Sequence, residues 1–267
     1  MAVYRIGSRD GMSLTTKLII LNVVIYFISL LLLGTYGEEF FVSYLALTPS
    51  LVLTGKSVWT FLTSMFMHGS FFHIFANMFS LFFVGGFLEK IIGKKRSFWV
   101  YLISGLVGGA FFVAGAYLFG NLNIPAVGAS GAIFGLLGVL AVLVPFSRIY
   151  LIAGPLILIV VEVVASALFP ASVLSGLSLI INILILLMIF AIFSFNPRYR
   201  KFAVPIELPM WLLPIIAIVP LMIISFYVDL PIGNSAHLGG LVVGLIYGFY
   251  LRKKFPKKVR SLTNHFR

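Results

Sequence analysis

Long apolar stretches separated by short polar breaks fill most of the chain. A helix needs about 20 mainly apolar residues to cross the hydrocarbon core of a bilayer. On that measure the pattern predicts eight membrane helices, over residues 17–35, 71–90, 97–119, 129–145, 149–169, 172–195, 209–228 and 235–251. The fourth is short and the last is rich in glycine, but clear polar breaks bound both. The first sits where a signal peptide would. Its apolar core is too long for one, and the Gly34-Thr-Tyr-Gly-Glu-Glu39 that follows is not a small-residue cleavage site, so a retained helix is expected. Residues 36–70 then form a long outer loop, and 1–267 reads as a single transmembrane domain.

Composition supports that pattern. The chain is 61% hydrophobic and 10% charged, against about 45–50% and 25% for a soluble domain. Its net charge of +12 would suggest nucleic acid on a soluble protein. Here the basic residues lie in clusters between apolar runs, so no nucleic-acid partner is expected. Arg5, Arg9 and Lys17 precede the first helix. Lys90, Lys94, Lys95 and Arg96 lie between the second and third, Arg148 between the fourth and fifth, and Arg198, Arg200 and Lys201 between the sixth and seventh. The rest follow the eighth, in a basic tail over 252–267 that is expected to meet anionic membrane lipids. Only Lys56 falls on the other side, so the positive-inside rule puts both termini in the cytoplasm. The chain has no cysteine, which excludes disulfides and thiolate-held metals and fits a prokaryotic plasma membrane.

Polar side chains inside a bilayer are costly and default to function. Several occur at the outer ends of three predicted helices: His73 and Asn77, Ser130, and His237. With a rise of 1.5 Å per residue, Ser130 stands about 27 Å above Arg148, His237 about 22 Å above Arg252, and Asn77 and His73 about 20–26 Å above Lys90. They share one depth, just below the outer surface. His73 and Asn77 are i and i+4 and lie on one helix face. Ser130 falls in the first turn of its helix, where free amides and the dipole favour an oxyanion. Gly131 and Gly135 on the fourth helix, and Gly240, Gly244 and Gly248 on the eighth, allow close backbone approach. That approach would bring His237 beside Ser130.

These motifs resemble the rhomboid family of intramembrane serine proteases: His68-Gly-Ser-Phe-Phe-His73-Ile-Phe-Ala-Asn77, Gly128-Ala-Ser130-Gly131 and Ala236-His237-Leu-Gly-Gly240, with Gly85-Gly86-Phe-Leu-Glu89-Lys90 at the inner end of the second helix. They occur in family order over residues 57–145 and 205–250. The resemblance implies an all-α polytopic membrane protein, with a six-helix rhomboid-like bundle plus two additional transmembrane helices. It implies Ser130 as nucleophile, His237 as general base, and His73, Asn77 and the Ser130 amide as oxyanion donors. Gly128 would leave room beside the nucleophile, and Phe134 would face the histidine where many relatives carry tyrosine. His68 reads either as a brace for the first loop or as support for the site. Trp59-Thr60 stands where relatives usually have Trp-Arg, and Lys56 is the available substitute for that arginine. Ser130 and His237 are 107 residues apart, about two helices more than the six-helix core needs, so an insertion near 146–195 must hold an even number of spans.

The implied activity is endopeptidase cleavage of single-span membrane substrates near the outer half of the bilayer, by a Ser–His dyad without cofactor. A carboxylate could complete a triad, but neither Asp229 nor Glu162 is well placed. Two other readings compete. His68, His73 and His237 are potential zinc ligands, without the spacing or carboxylate of a zinc hydrolase. Glu162, Ser166 and Asn182 could form an ion path, which leaves the serine and histidine motifs unexplained.

Overall fold

The first helix opens at a polar cap. Ser13 Oγ accepts from the Thr16 amide at 3.0 Å, and α1 spans Leu14–Tyr44. The Glu89 carboxylate accepts from the amides of Leu14 and Thr15, each at 2.9 Å, and from Thr15 Oγ1 at 2.7 Å. Helix-opening amides have no partner within the helix, and a carboxylate there also meets the positive dipole end.

The computed structural model describes residues 11–152, 154, 157, 158, 160–162, 165, 169–193, 205–225 and 233–266. In it α1 passes residue 36, where the sequence reading starts a loop, and ends at Tyr44 after a break at Gly37. The rings of Tyr36, Phe40 and Tyr44 follow at i, i+4 spacing, 5.0 and 5.1 Å apart, and carry the helix on. The rest of that stretch holds α2 (Pro49–Leu53), α3 (Thr60–Thr63) and a 3-10 turn over Ser64–Phe66.

Two compact units divide the chain, Met1–Leu143 with Gly233–Pro256, and Val144–Ile232 with Lys257–Arg267. In the first, α4 (Phe71–Ser80), a π-helical turn (Leu81–Gly85) and α5 (Gly86–Ile92) form one rod. Gly93, at φ 85°, turns the chain into α6 (Lys94–Phe119). The helices α7 (Ser130–Leu143) and α10 (Asn234–Lys254) complete the unit. α7 is apolar on every side and buried along almost its whole length, as expected of a central helix. Among the described residues, three helices, Leu14–Tyr44, Phe71–Ile92 and Lys94–Phe119, are long and apolar enough to cross a membrane. The protein is a helical, polytopic membrane protein.

The second unit departs from the predicted helix over 149–169. Its start is a strand, β1 (Arg148–Ile152), paired antiparallel with β2 (Pro205–Pro209). Proline lacks the amide a helix or a central strand requires, and a two-stranded ribbon tolerates it. Arg148 and Glu207 form an ion pair across the ribbon at 3.3 Å. The ribbon continues in amides of Met210 and Trp211 that donate to the carbonyls of Ser147 and Pro145. The predicted helix over 209–228 starts as a 3-10 turn, Met210–Leu212, and becomes α9 (Leu213–Ser225). α8 (Ala171–Phe193) lies in this unit, and α11 (Pro256–His265) follows α10. Glu162 accepts from Ser178 Oγ, and Asn182 Nδ2 approaches the same carboxylate at 3.5 Å.

Candidate active site

Backbone contact between helices sets this site. A Cβ on Gly240 would run into the carbonyl oxygen of Gly131 and lie 2.8 Å from its carbon. A Cβ on Gly244 would meet the Gly135 carbonyl in the same way. Two turns of α10 therefore lie directly on two turns of α7, with hydrogen atoms where side chains would otherwise separate them. His237 is three residues before Gly240, and Ser130 one before Gly131. The seam thus sets two reactive side chains opposite each other: His237 Nε2 is 2.7 Å from Ser130 Oγ.

The sequence reading missed the third helix of this seam. A Cβ on Gly108 of α6 would lie 2.8 Å from the Ala236 carbonyl oxygen and 3.5 Å from the Gly131 Cα. Ser104 of α6 packs against Gly135. The signal was present as Ser104-Gly105 and Gly108-Gly109, small residues one turn apart, but no reactive residue drew attention to it.

The histidine ring is held by stacking. Phe134 lies against His237, with ring centroids 4.5 Å apart and planes inclined by 23°. The ring is 9% exposed, and among the described residues its Nδ1 has no hydrogen-bond partner. No described carboxylate therefore orients it. Asp229 and Ser166 lie outside the described residues.

Gly128 keeps the space beside Ser130 open. Its φ of 127° suits glycine, and its amide donates to the Ser64 carbonyl at 2.8 Å. A Cβ there would lie 2.8 Å from His73 Nε2 and 3.8 Å from Ser130 Oγ. His73 and Ser130 thus face each other across a missing side chain. Paired backbone bonds between Leu47 and Ala126, each 2.9 Å, tie this segment to the chain after α1.

His73 is set by the start of α4, where Ser70 Oγ caps its amide at 3.1 Å. Asn77, one turn on, is buried and donates one amide hydrogen to the His73 carbonyl at 2.9 Å. An amide nitrogen carries two hydrogens, so one is left for another acceptor. His68, in the turn ahead of α4, packs edge-on against His73 with centroids 5.1 Å apart. It is 3% exposed, and neither ring nitrogen has a hydrogen-bond partner of good geometry. Burial first, and then the neighbouring His73, hold its pKa down to about 3, so the ring is neutral at ordinary pH. His68 is thus held chiefly by packing, with His73 against its ring. Trp59, from the Trp59-Thr60 pair, donates its indole N–H to the Tyr44 carbonyl at 2.9 Å, and Thr60 is fully buried. That part of the chain is braced without an arginine. Among the described residues, no group of three or more His, Cys, Asp or Glu could hold a metal.

The Rhomboid domain family matches this chain over residues 55–169 and 150–254. The chain belongs to the rhomboid family. RHOMBOID-like protein 1 of Arabidopsis thaliana is 44% identical over 93 residues, 35% of this chain and 23% of the relative. Rhomboid protease GluP of Bacillus subtilis is 34% identical over 127 residues, 47% of this chain and 24% of the relative. Inactive RHOMBOID-like protein 8 of Arabidopsis thaliana is 41% identical over 81 residues, 30% and 22%. The matched stretches thus span less than a quarter of these relatives' lengths. A family holding both proteases and a member named inactive makes the side chains at the site decisive for this chain.

Proposed function

We propose that this protein is an intramembrane serine endopeptidase working through a Ser130–His237 dyad. The observation that carries the reading is the 2.7 Å contact between Ser130 Oγ and His237 Nε2. A serine hydroxyl is a weak nucleophile until a base takes its proton. With its proton on Nδ1, His237 accepts the Ser130 proton at Nε2 and later delivers it to the leaving amine. Phe134 holds the ring by stacking, in place of the carboxylate that orients a triad histidine. The negative oxygen that develops on the attacked carbonyl is stabilised by His73, the free amide hydrogen of Asn77 and the Ser130 amide. The opening beside Gly128 supports this role, because it leaves space between His73 and Ser130 for the reacting group.

The substrates in this reading are single-span membrane proteins, cut near the outer half of the bilayer. The cleaved stretch must be unwound, since a helix ties up its own carbonyls. The chain spans the membrane eight times, with both termini in the cytoplasm of a prokaryotic cell. Reporters fused to the two ends then both read inside, and opposite readings break that topology.

The deciding experiment is labelling of the detergent-purified protein with a fluorophosphonate probe, with Ser130→Ala as control. Labelling confined to the wild type is expected. No labelling under conditions where an active relative reacts would place this chain with the inactive members.

A further inference from the structure

Far from Ser130 and His237, at the other end of α6 and α10, two cations share one aromatic ring. The Arg96 guanidinium lies 5.2 Å from the Phe255 centroid, and Lys254 Nζ lies 5.9 Å from the same centroid. Lys254 Nζ also donates to Tyr250 Oη at 2.7 Å. Lys95, Arg252 and Lys253 stand exposed in the same turns. Like charges set against one ring repel. The first turn of α6 adds the positive end of its helix dipole.

No described carboxylate of this unit pairs with them. Among the described residues the one ion pair, Arg148 with Glu207, belongs to the other unit. The carboxylate nearest in sequence, Glu89, has both oxygens engaged by the start of α1. Glu38 and Glu39 lie near the far end of α1. These exposed cations are therefore open to an external anion.

The residues next to these cations identify its kind. On the Arg96 face of α6 follow Trp99, 50% exposed, and Ile103, 45% exposed, at i+3 and i+7. On the Lys254 face of α10 stand Tyr250, 49% exposed, and Ile246, 65% exposed, at i−4 and i−8. Each cation sits at the foot of an exposed aromatic and aliphatic stripe. A free anion has no use for such stripes. A phospholipid fits both parts, its phosphate at the cations and its acyl chains along the stripes.

We infer that Arg96 and Lys254, flanking Phe255, form a site for the headgroup of an anionic phospholipid. The site is remote from Ser130 and independent of whether the protein is a protease.

Native mass spectrometry of the purified protein, given equal phosphatidylglycerol and phosphatidylcholine, tests this. Each cation near an anionic headgroup contributes about fivefold in affinity. The wild type should retain phosphatidylglycerol preferentially, and R96Q/K254Q should lose roughly thirtyfold of that preference. R96K/K254R should keep it, and high salt should erode it in the wild type, which needs no variant to fold. Equal retention of both lipids by the wild type, or an undiminished preference in folded R96Q/K254Q, overturns the site. Displacement of phosphatidylglycerol by millimolar inorganic phosphate overturns the lipid assignment in favour of a soluble anion.

Discussion

Replacing Gly240 with alanine adds one methyl group at the place where α10 meets α7. That methyl would strike the Gly131 carbonyl oxygen and lie 2.8 Å from its carbon and 3.3 Å from its Cα. All three atoms are backbone, so no rotamer change relieves the clash and α10 must move away. Overpacking a tight core costs about 1–3 kcal/mol, and a backbone-to-backbone clash belongs at the upper end. About 3 kcal/mol corresponds to a fall of roughly 6–12 °C in Tm for a chain of this size. The activity effect is larger, because His237 rides on the same turn. A shift of about 1 Å breaks the contact between Nε2 and Ser130 Oγ and costs about a hundredfold in rate. Gly86 is the control: it is also helical, and nothing lies within 4 Å of a Cβ there. Gly86→Ala should be neutral or stabilising by up to about 1 kcal/mol. Thermal unfolding and probe labelling, run side by side, read both quantities. A Gly240→Ala protein that melts and labels like the wild type would refute the argument that this seam places the dyad.

Gly128→Ala forces a side chain into a backbone at φ 127° and against His73 Nε2; if His73 has the oxyanion role proposed for it, probe labelling should fall at least tenfold. His237→Ala should remove labelling while leaving the melting profile near wild type, and a labelled variant would exclude His237 as the base. Glu89→Gln leaves the amides of Leu14 and Thr15 with a weaker acceptor and should cost about 1–2 kcal/mol in thermal unfolding. His68 is held below its unfolded pKa, so the unfolded chain binds the extra proton. Its contribution to stability is full above about pH 6.5 and is lost as pH falls towards about 3. His68→Phe should therefore flatten the loss of melting temperature on acidification, and an unchanged slope would remove His68 as its source. Glu207→Gln breaks an ion pair whose side chains are 68% and 40% exposed, and should shift stability by less than about 0.5 kcal/mol.

The polar constellation was the most legible part of this chain. A serine, two histidines and an asparagine at one depth stand out because a bilayer tolerates so few polar groups, and their spacing indicates which elements must meet. The glycines Gly131, Gly135, Gly240 and Gly244 were legible for the same reason, since small residues aligned over several turns mark helix contact. Two features were hidden. The ribbon of β1 and β2 sits in segments as apolar as the helices around it, and hydropathy does not separate a short strand from the start of a span. The continuation of α1 to Tyr44 was masked by Gly37, Glu38 and Glu39, which read as a break although the aromatic rings on either side keep helical spacing.

The orientation of His237 follows from the same economy of polar groups. In water-exposed enzymes a buried carboxylate fixes the catalytic tautomer, at a desolvation cost met by surrounding hydrogen bonds. Within an apolar bundle that cost is greater and donors to share it are scarce. Here the ring is held by the Phe134 face at 4.5 Å and by a helix seam with no side chains between the backbones. Among the described residues, packing rather than charge holds the ring. A rate that depends on Phe134 packing and on Gly240, and that is indifferent to every carboxylate in the chain, is the pattern such a site must give. Phe134→Leu should therefore lower labelling more than any single Asp→Asn or Glu→Gln change, and a carboxylate variant that alone abolished it would show that a charged partner orients His237 after all.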